Sequence, residues 1–157
     1  MNLALPLSAL AGVAAMVLAA CSNEGCQNNR NSIPMAGFYA LEGEQQLSVS
    51  GLAIYGLGSP GDSLLLDTTR ANHQVYLPLR GEVPSTSFVF SAGQISDTVT
   101  LTYNSWPYFD GEDCGAMWRY ELTRIDYQRT LIDSILITDS LITNIERERL
   151  MIFLKTE

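Results

Sequence analysis

The chain is 157 residues long and acidic, with 9 Lys and Arg against 17 Asp and Glu and a formal net charge of -8. That charge repels phosphate backbones and anionic headgroups, and no basic cluster offsets it, so nucleic acid is excluded as a partner. One histidine and three cysteines are too few for a structural zinc site or a histidine-driven hydrolase, and neither metal nor cofactor is expected.

From Leu3 to Ala20 the chain is apolar apart from Ser8. An N-terminal run of this length reads as a signal peptide or a membrane span. It ends at Leu18-Ala19-Ala20-Cys21 and is followed by Ser22-Asn23-Glu24 rather than a basic stop-transfer patch. Those four residues resemble the lipobox of bacterial lipoproteins at every position. Met1-Asn2 departs from the pattern, because a signal usually opens with Lys or Arg. The chemistry accounts for the residue types: small side chains at 19 and 20 let the extended chain enter a protease, and a thiol is nucleophilic enough to take a lipid. The resemblance implies that residues 1–20 are removed and that Cys21 carries diacylglycerol, with the new amino group acylated as well. Two or three acyl chains, at about 0.8 kcal/mol per buried methylene, make such an attachment effectively permanent.

The mature part, 157 less 20 or 137 residues, is enough for one domain with a core. Residues 21–34 are polar without a period and read as a lipidated N-terminus and tether, leaving 35–157 as the domain. With Cys21 taken by lipid, Cys26 and Cys114 form an even pair in an oxidising compartment, and a disulfide between them is expected. The chain-entropy account gives such a long closed loop about 4 kcal/mol of stabilisation.

From Met35 onward, short apolar stretches alternate with turn residues, the rhythm of an all-β domain. We expect an antiparallel β-sandwich of eight or nine strands. Leu47 and Val49 take one parity and Leu52 and Ile54 the other, so a glycine bulge fits at Gly51. Turns are marked at 56–62, 81–84 and 91–94. Val75, Leu77 and Leu79 share one strand parity, as do Phe88 and Phe90. Val99, Leu101 and Tyr103 interleave with Thr98, Thr100 and Thr102, which describes a strand with one wet face. Trp118, Tyr120 and Leu122 share a parity that Ile125 and Tyr127 break, so a second bulge lies between them. Helical propensity is confined to 142–150, where Ile-Glu-Arg-Glu-Arg stands. The run from Leu150 to Leu154 reads as a strand buried on both faces.

Few residues suggest chemistry. His73 shares parity with Val75 and reads as a surface or strand-end residue. Asp110, Glu112 and Asp113 cluster without the EF-hand pattern and read as a solvated turn. The most unusual stretch is 104–115, a long connection carrying Trp106, Tyr108, Phe109 and Asp110. Its aromatics either cap one end of the sandwich core or form a platform for a protein partner or a glycan.

The lipobox, a second cysteine soon after it, Leu77-Pro78-Leu79, Cys114-Gly115, Ile125-Asp126 and Ile132-Asp133-Ser134 together resemble the small β-rich lipoproteins of unknown function from Bacteroidetes-type bacteria. The resemblance implies an outer-membrane, lipid-anchored setting, at the periplasmic face or the cell surface, and brings no catalytic residues. Ser22 is similar to outer-membrane sorting signals. The expectation is a non-enzymatic binding or accessory module of an outer-membrane protein assembly. The alternative is a surface glycan-binding domain that uses the aromatics of 104–115.

Overall fold

The computed structural model describes residues 31–43, 45–58, 63–109 and 115–155. Cys21, Cys26, Asp110 and Cys114 lie outside them, as do the apolar N-terminal run and the acidic residues 112 and 113. Among the described residues there are ten strands and no helix, packed as a sandwich of two sheets. The smaller sheet has the order β4 (Gln74–Tyr76), β1 (Met35–Ala40), β10 (Glu148–Leu154), β8 (Ile132–Ile137). The larger has the order β3 (Ser63–Leu66), β2 (Leu52–Gly56), β5 (Ser85–Ala92), β6 (Ile95–Phe109), β7 (Ala116–Tyr127), β9 (Leu141–Ile142).

Alternation builds the core. Phe88 and Phe90 from β5, and Val99, Leu101 and Tyr103 from β6, face Phe38 of β1 and Leu150 and Ile152 of β10. Thr98, Thr100 and Thr102 stay half-exposed on the outer face. Of the two expected bulges, the one in β7 is present, whereas Gly51 is a bend that leads from an isolated Val49–Asn72 bridge into β2. Gly51 has φ +78°, a conformation that side chains with a Cβ resist. In β7, Tyr103 pairs with Leu122 while Thr102 pairs with Arg124, which leaves Thr123 unpaired.

Three further expectations are corrected. The sandwich is not wholly antiparallel: β1 and β10 run parallel, from Ala36 beside Leu150 to Ala40 beside Leu154. A parallel pair needs a long crossover, and here almost the whole domain, looping through the other sheet, provides it. The helix at 142–150 does not form. Ile142 and Leu150 are both buried, one in each sheet, and residues eight apart in a helix fall near the same side of it, so a helix would not deliver them to opposite walls of the core. Tertiary pairing overrides local propensity. The run 150–154 is not buried on both faces: Leu150, Ile152 and Leu154 enter the core, whereas Met151 and Phe153 lie half-exposed outside, Phe153 against Tyr39 at 5.9 Å.

Packing begins before Met35. Ser32 and Pro34 are buried, and the Pro34 carbonyl accepts from the Leu77 N–H at 3.0 Å. The N-terminal stretch thereby approaches the start of β7, where the Ser32 hydroxyl lies 4.0 Å from the Met117 sulfur.

Candidate functional site

The stretch expected to be a long loop is mostly strand. β6 continues to Phe109 and β7 starts at Ala116, with Trp106 opposite Arg119, Pro107 opposite Trp118, Tyr108 opposite Met117 and Phe109 opposite Ala116. Beyond Thr102, β6 has outrun β5, so the pair projects as a two-stranded ribbon. Pro107 lacks an N–H, and it is tolerated because no strand claims that edge.

The ribbon separates its aromatics by role. Trp106 is 36 % and Phe109 62 % exposed, so neither caps the core. Tyr108 is half-buried, and the Arg119 guanidinium carbon sits 3.1 Å from its ring centroid, a cation–π stack that covers one face of the ring. Asp110, the remaining member of the sequence-based set, lies outside the described residues.

The opposite face of the ribbon is held to the domain through Leu77–Gly81. Ser105 Oγ donates to the Gly81 carbonyl at 2.7 Å, and the Tyr120 hydroxyl to that of Leu79 at 3.2 Å. Tyr103 Oη donates to the Arg80 carbonyl at 2.9 Å and accepts from the Arg80 N–H at 3.1 Å. Its single proton being committed, the Thr86 hydroxyl at 2.6 Å donates to it. Burial, and then the neighbouring Tyr103, push the Tyr120 hydroxyl up to about 12. Trp118 lies against Gly81 so closely that a Cβ there would collide with the indole. Between ribbon and domain a cleft of about 320 Å³ opens, lined by Asn31, Ile33, Leu79, Ala116, Met117 and Trp118 among others.

Sequence reasoning singled out neither of the two buried charges. Asp97 is fully buried and takes N–H bonds from Thr130 (3.0 Å), Leu131 (2.7 Å) and Ile132 (2.8 Å). Burial pushes its carboxyl up, but these donors outweigh it and hold Asp97 below the ordinary carboxylate value. Its signal was an inward parity shared with Val99 and Leu101. Arg149 is 3 % exposed, pairs with Asp139, and reaches the Thr143 hydroxyl and the Ile145 carbonyl. Burial lowers its pKa, and Asp139 opposes that shift. It occupies the bulge that places Met35 beside Glu148 and Ala36 beside Leu150, which no local pattern announces. Both groups bind structural partners. His73 is exposed, and its carbonyl accepts from Phe38 N–H at 2.9 Å. Among the described residues no three metal-ligating side chains gather.

A family profile described as a family of unknown function, DUF6452, matches residues 47–154, more than half of the chain. The chain belongs to the DUF6452 family. The matched region of this DUF6452 protein runs from just before β2 to the end of β10 and includes the ribbon and both buried charges. It begins after β1, so the parallel partner of β10 lies outside it. No curated protein and no solved structure matches this chain.

Proposed function

We propose that this protein is a lipid-anchored, non-enzymatic module of the bacterial cell envelope, held at the outer membrane through Cys21, that binds another envelope protein as an accessory of its assembly. The observation that carries the reading is the tetrapeptide Leu18-Ala19-Ala20-Cys21 at the end of an apolar N-terminal run. Tethering raises the local concentration of a weak binder, so a small domain works without a large interface. The non-catalytic part is supported by the use of Asp97 and Arg149, whose polar atoms are committed to backbone and ion-pair bonds.

The same reading includes a Cys26–Cys114 disulfide. Asn31, five residues after Cys26, and Ala116, two after Cys114, line one cleft. Five extended residues span at most about 17 Å and two about 7 Å, so a bridge across that cleft is within reach. Glycan binding is the second reading, favoured by the exposure of Trp106 and Phe109 and weakened by the Arg119 guanidinium that occupies one face of Tyr108.

Mass spectrometry of the mature protein tests the anchor: the expected N-terminus is an acylated Cys21, and Cys21→Ser should release the protein from membranes. Thiol alkylation under denaturing, non-reducing conditions should leave Cys26 and Cys114 unlabelled. For the partner, photo-crosslinkers at Leu136, exposed on the small sheet, and at Trp106 sample two apolar surfaces in native membranes. A reproducible protein adduct is expected from Leu136. Absence of a protein adduct at both positions, together with a positive glycan array, would replace the first reading by the second.

A further inference from the structure

We propose that the cleft between β9 and the start of β10 holds the C-terminal carboxylate of a partner polypeptide, with the Arg147 guanidinium as its ligand and Leu141 and Ile145 against the terminal side chain. This names the chemical group that the partner brings, and it rests on the reading above only for the partner being a protein.

The charged run Glu146-Arg147-Glu148-Arg149 sorts its charges. Two tyrosines of the small sheet take up the glutamates: Glu146 accepts from the Tyr76 hydroxyl, and Glu148 from that of Tyr39 at 2.9 Å. Both arginines turn to Asp139, Arg149 in a close ion pair and Arg147 at 3.5 Å. Asp139 is itself held by the Leu141 N–H at 3.0 Å. Two guanidiniums thus share one carboxylate, which leaves a positive charge uncompensated in a chain whose net charge is -8.

The arginines differ in what they have left to give. Arg149 is buried, and its other bonds go to the Thr143 hydroxyl and the Ile145 carbonyl, so it supplies fixed charge behind the cleft. The Arg147 side chain is 57 % exposed and gives Asp139 one long contact. Most of its five N–H donors are therefore left for a ligand, and a carboxylate can accept two of them in parallel. The Thr143 oxygen accepts from Arg149 and from the Ile145 N–H at 3.2 Å, so its own proton is a further donor at the wall.

Size, charge and lining select the occupant. The cleft measures about 160 Å³, below the roughly 300–1,000 Å³ of pockets that enclose a whole small molecule. It suits the end of a longer ligand. One uncompensated charge matches a monoanion. A phosphate group, at about -1.5 to -2 near neutral pH, would set its surplus charge against Asp139. Leu141 and Ile145 are exposed and line the same cleft, so the carboxylate arrives beside apolar surface. At a C-terminus the carboxylate and a side chain leave one carbon, and both halves of the cleft fill together. An Asp or Glu side chain brings only the anion. Capture of a C-terminal carboxylate is a recurring mode of peptide recognition. Leu136, exposed on the small sheet, precedes Asp139 by three residues, which reach at most about 11 Å. The surface assigned above to the partner therefore borders the cleft.

The test uses the full chain in detergent, isotope-labelled at arginine. It is titrated with acetylated tetrapeptides ending in Val, Leu or Phe, each as free acid and as C-terminal amide. The acids should shift the side-chain N–H resonance of Arg147, assigned by its loss in Arg147→Gln, and bind at least about tenfold more tightly than the amides. Arg147→Gln should abolish that preference. Leu141→Ser should weaken the acids and leave acetate, which has no side chain to seat, unchanged. The comparison of acid with amide needs no variant, so it decides the matter even if Arg147→Gln fails to fold. Equal binding of acids and amides, or no binding by any acid, overturns the proposal. So does an amidated peptide with an internal Asp that binds as tightly, or inorganic phosphate that displaces the acids at equal concentration. A protein adduct at Leu136 in a chain whose cleft fails these tests keeps the accessory reading and removes the cleft. Acid binding without any adduct keeps the cleft and removes the accessory reading.

Discussion

The rings of Tyr103 and Tyr120 meet edge to face, 5.2 Å apart and 85° inclined, and both hydroxyls end on the backbone of Leu79 and Arg80. The run Leu77–Gly81 leaves β4 without a sheet neighbour of its own. Two tyrosines from the large sheet therefore supply the hydrogen bonds that a ladder would have given.

Tyr103→Phe removes the hydroxyl shared by Arg80 N–H, Arg80 C=O and Thr86. Buried partners left unsatisfied cost about 1–3 kcal/mol. Tyr120→Phe loses one bond at 3.2 Å and should cost about 0.5–1.5 kcal/mol. Urea denaturation of both variants checks the order, and a larger loss for Tyr120→Phe would refute the network described for Tyr103.

Alkaline titration separates Tyr120 from exposed tyrosines. Its folded pKa lies above the ordinary value of 10.0, at about 12. The stabilising contribution of the neutral phenol is thus fully present below pH 10 and is lost as pH rises toward 12. Tyr39, by burial and then its Glu148 partner, and Tyr76, by its Glu146 partner and then burial, are also held above the ordinary value. Ultraviolet difference spectra should therefore show a late phenolate rise that moves to lower pH on denaturation and loses one tyrosine equivalent in Tyr120→Phe.

Asp97 gives the opposite signature. Its pKa is held below the ordinary carboxylate value of 3.8, so the stability it contributes is present above that value and is lost as pH falls through the lower folded one. Asp97→Asn keeps the shape but trades one acceptor oxygen for an amide that faces N–H donors. A cost of about 2–3 kcal/mol at neutral pH is expected, with a shallower loss of stability on acidification. Thermal melts between neutral and strongly acidic pH measure both.

Alternation at Val99, Leu101 and Tyr103 located the inward face of β6, and the parity slip after Leu122 located the bulge at Thr123, because both signals are local. Past Asn104 the reading failed. Pro107 and the glycines at 111 and 115 resemble a loop, while the pairing that makes a strand comes from Arg119, Trp118 and Met117 on the other side of the turn. The direction of the β1–β10 pair was equally invisible, since alternation is the same in parallel and antiparallel strands. Asp97 was legible in principle: a carboxylate on the parity of Val99 must find donors inside the core.

Gly81→Ala places a methyl group into the Trp118 indole. Overpacking of this kind costs about 1–3 kcal/mol. Because Trp118 also lines the cleft beside Asn31, the variant should shift Trp118 emission as well as the melting temperature. Gly81→Ala combined with Trp118→Leu should recover part of the loss, and an additive double variant would argue that the two residues do not touch.

Arg149 depends on Asp139 for its counter-charge. Asp139→Asn leaves a 3 % exposed guanidinium facing Arg147 with no carboxylate. The expected loss is about 2–4 kcal/mol, below the range for a wholly buried pair because Asp139 is partly exposed. Arg149→Met, which removes the charge altogether, should be tolerated better, and calorimetry of the two variants tests that order.

The side-by-side placement of β1 and β10 sets a timetable for the newborn polypeptide. Until Glu148–Leu154 has emerged, β1 has only the three-residue β4 as a strand neighbour in its sheet, and one half of the sandwich stays open. Contacts between the two extremities of a chain form late and slowly. Under the lipid-anchored reading proposed above, a chain that stays threadable until it has crossed a membrane gains from this, because β10, which closes the small sheet, is made after the other nine described strands.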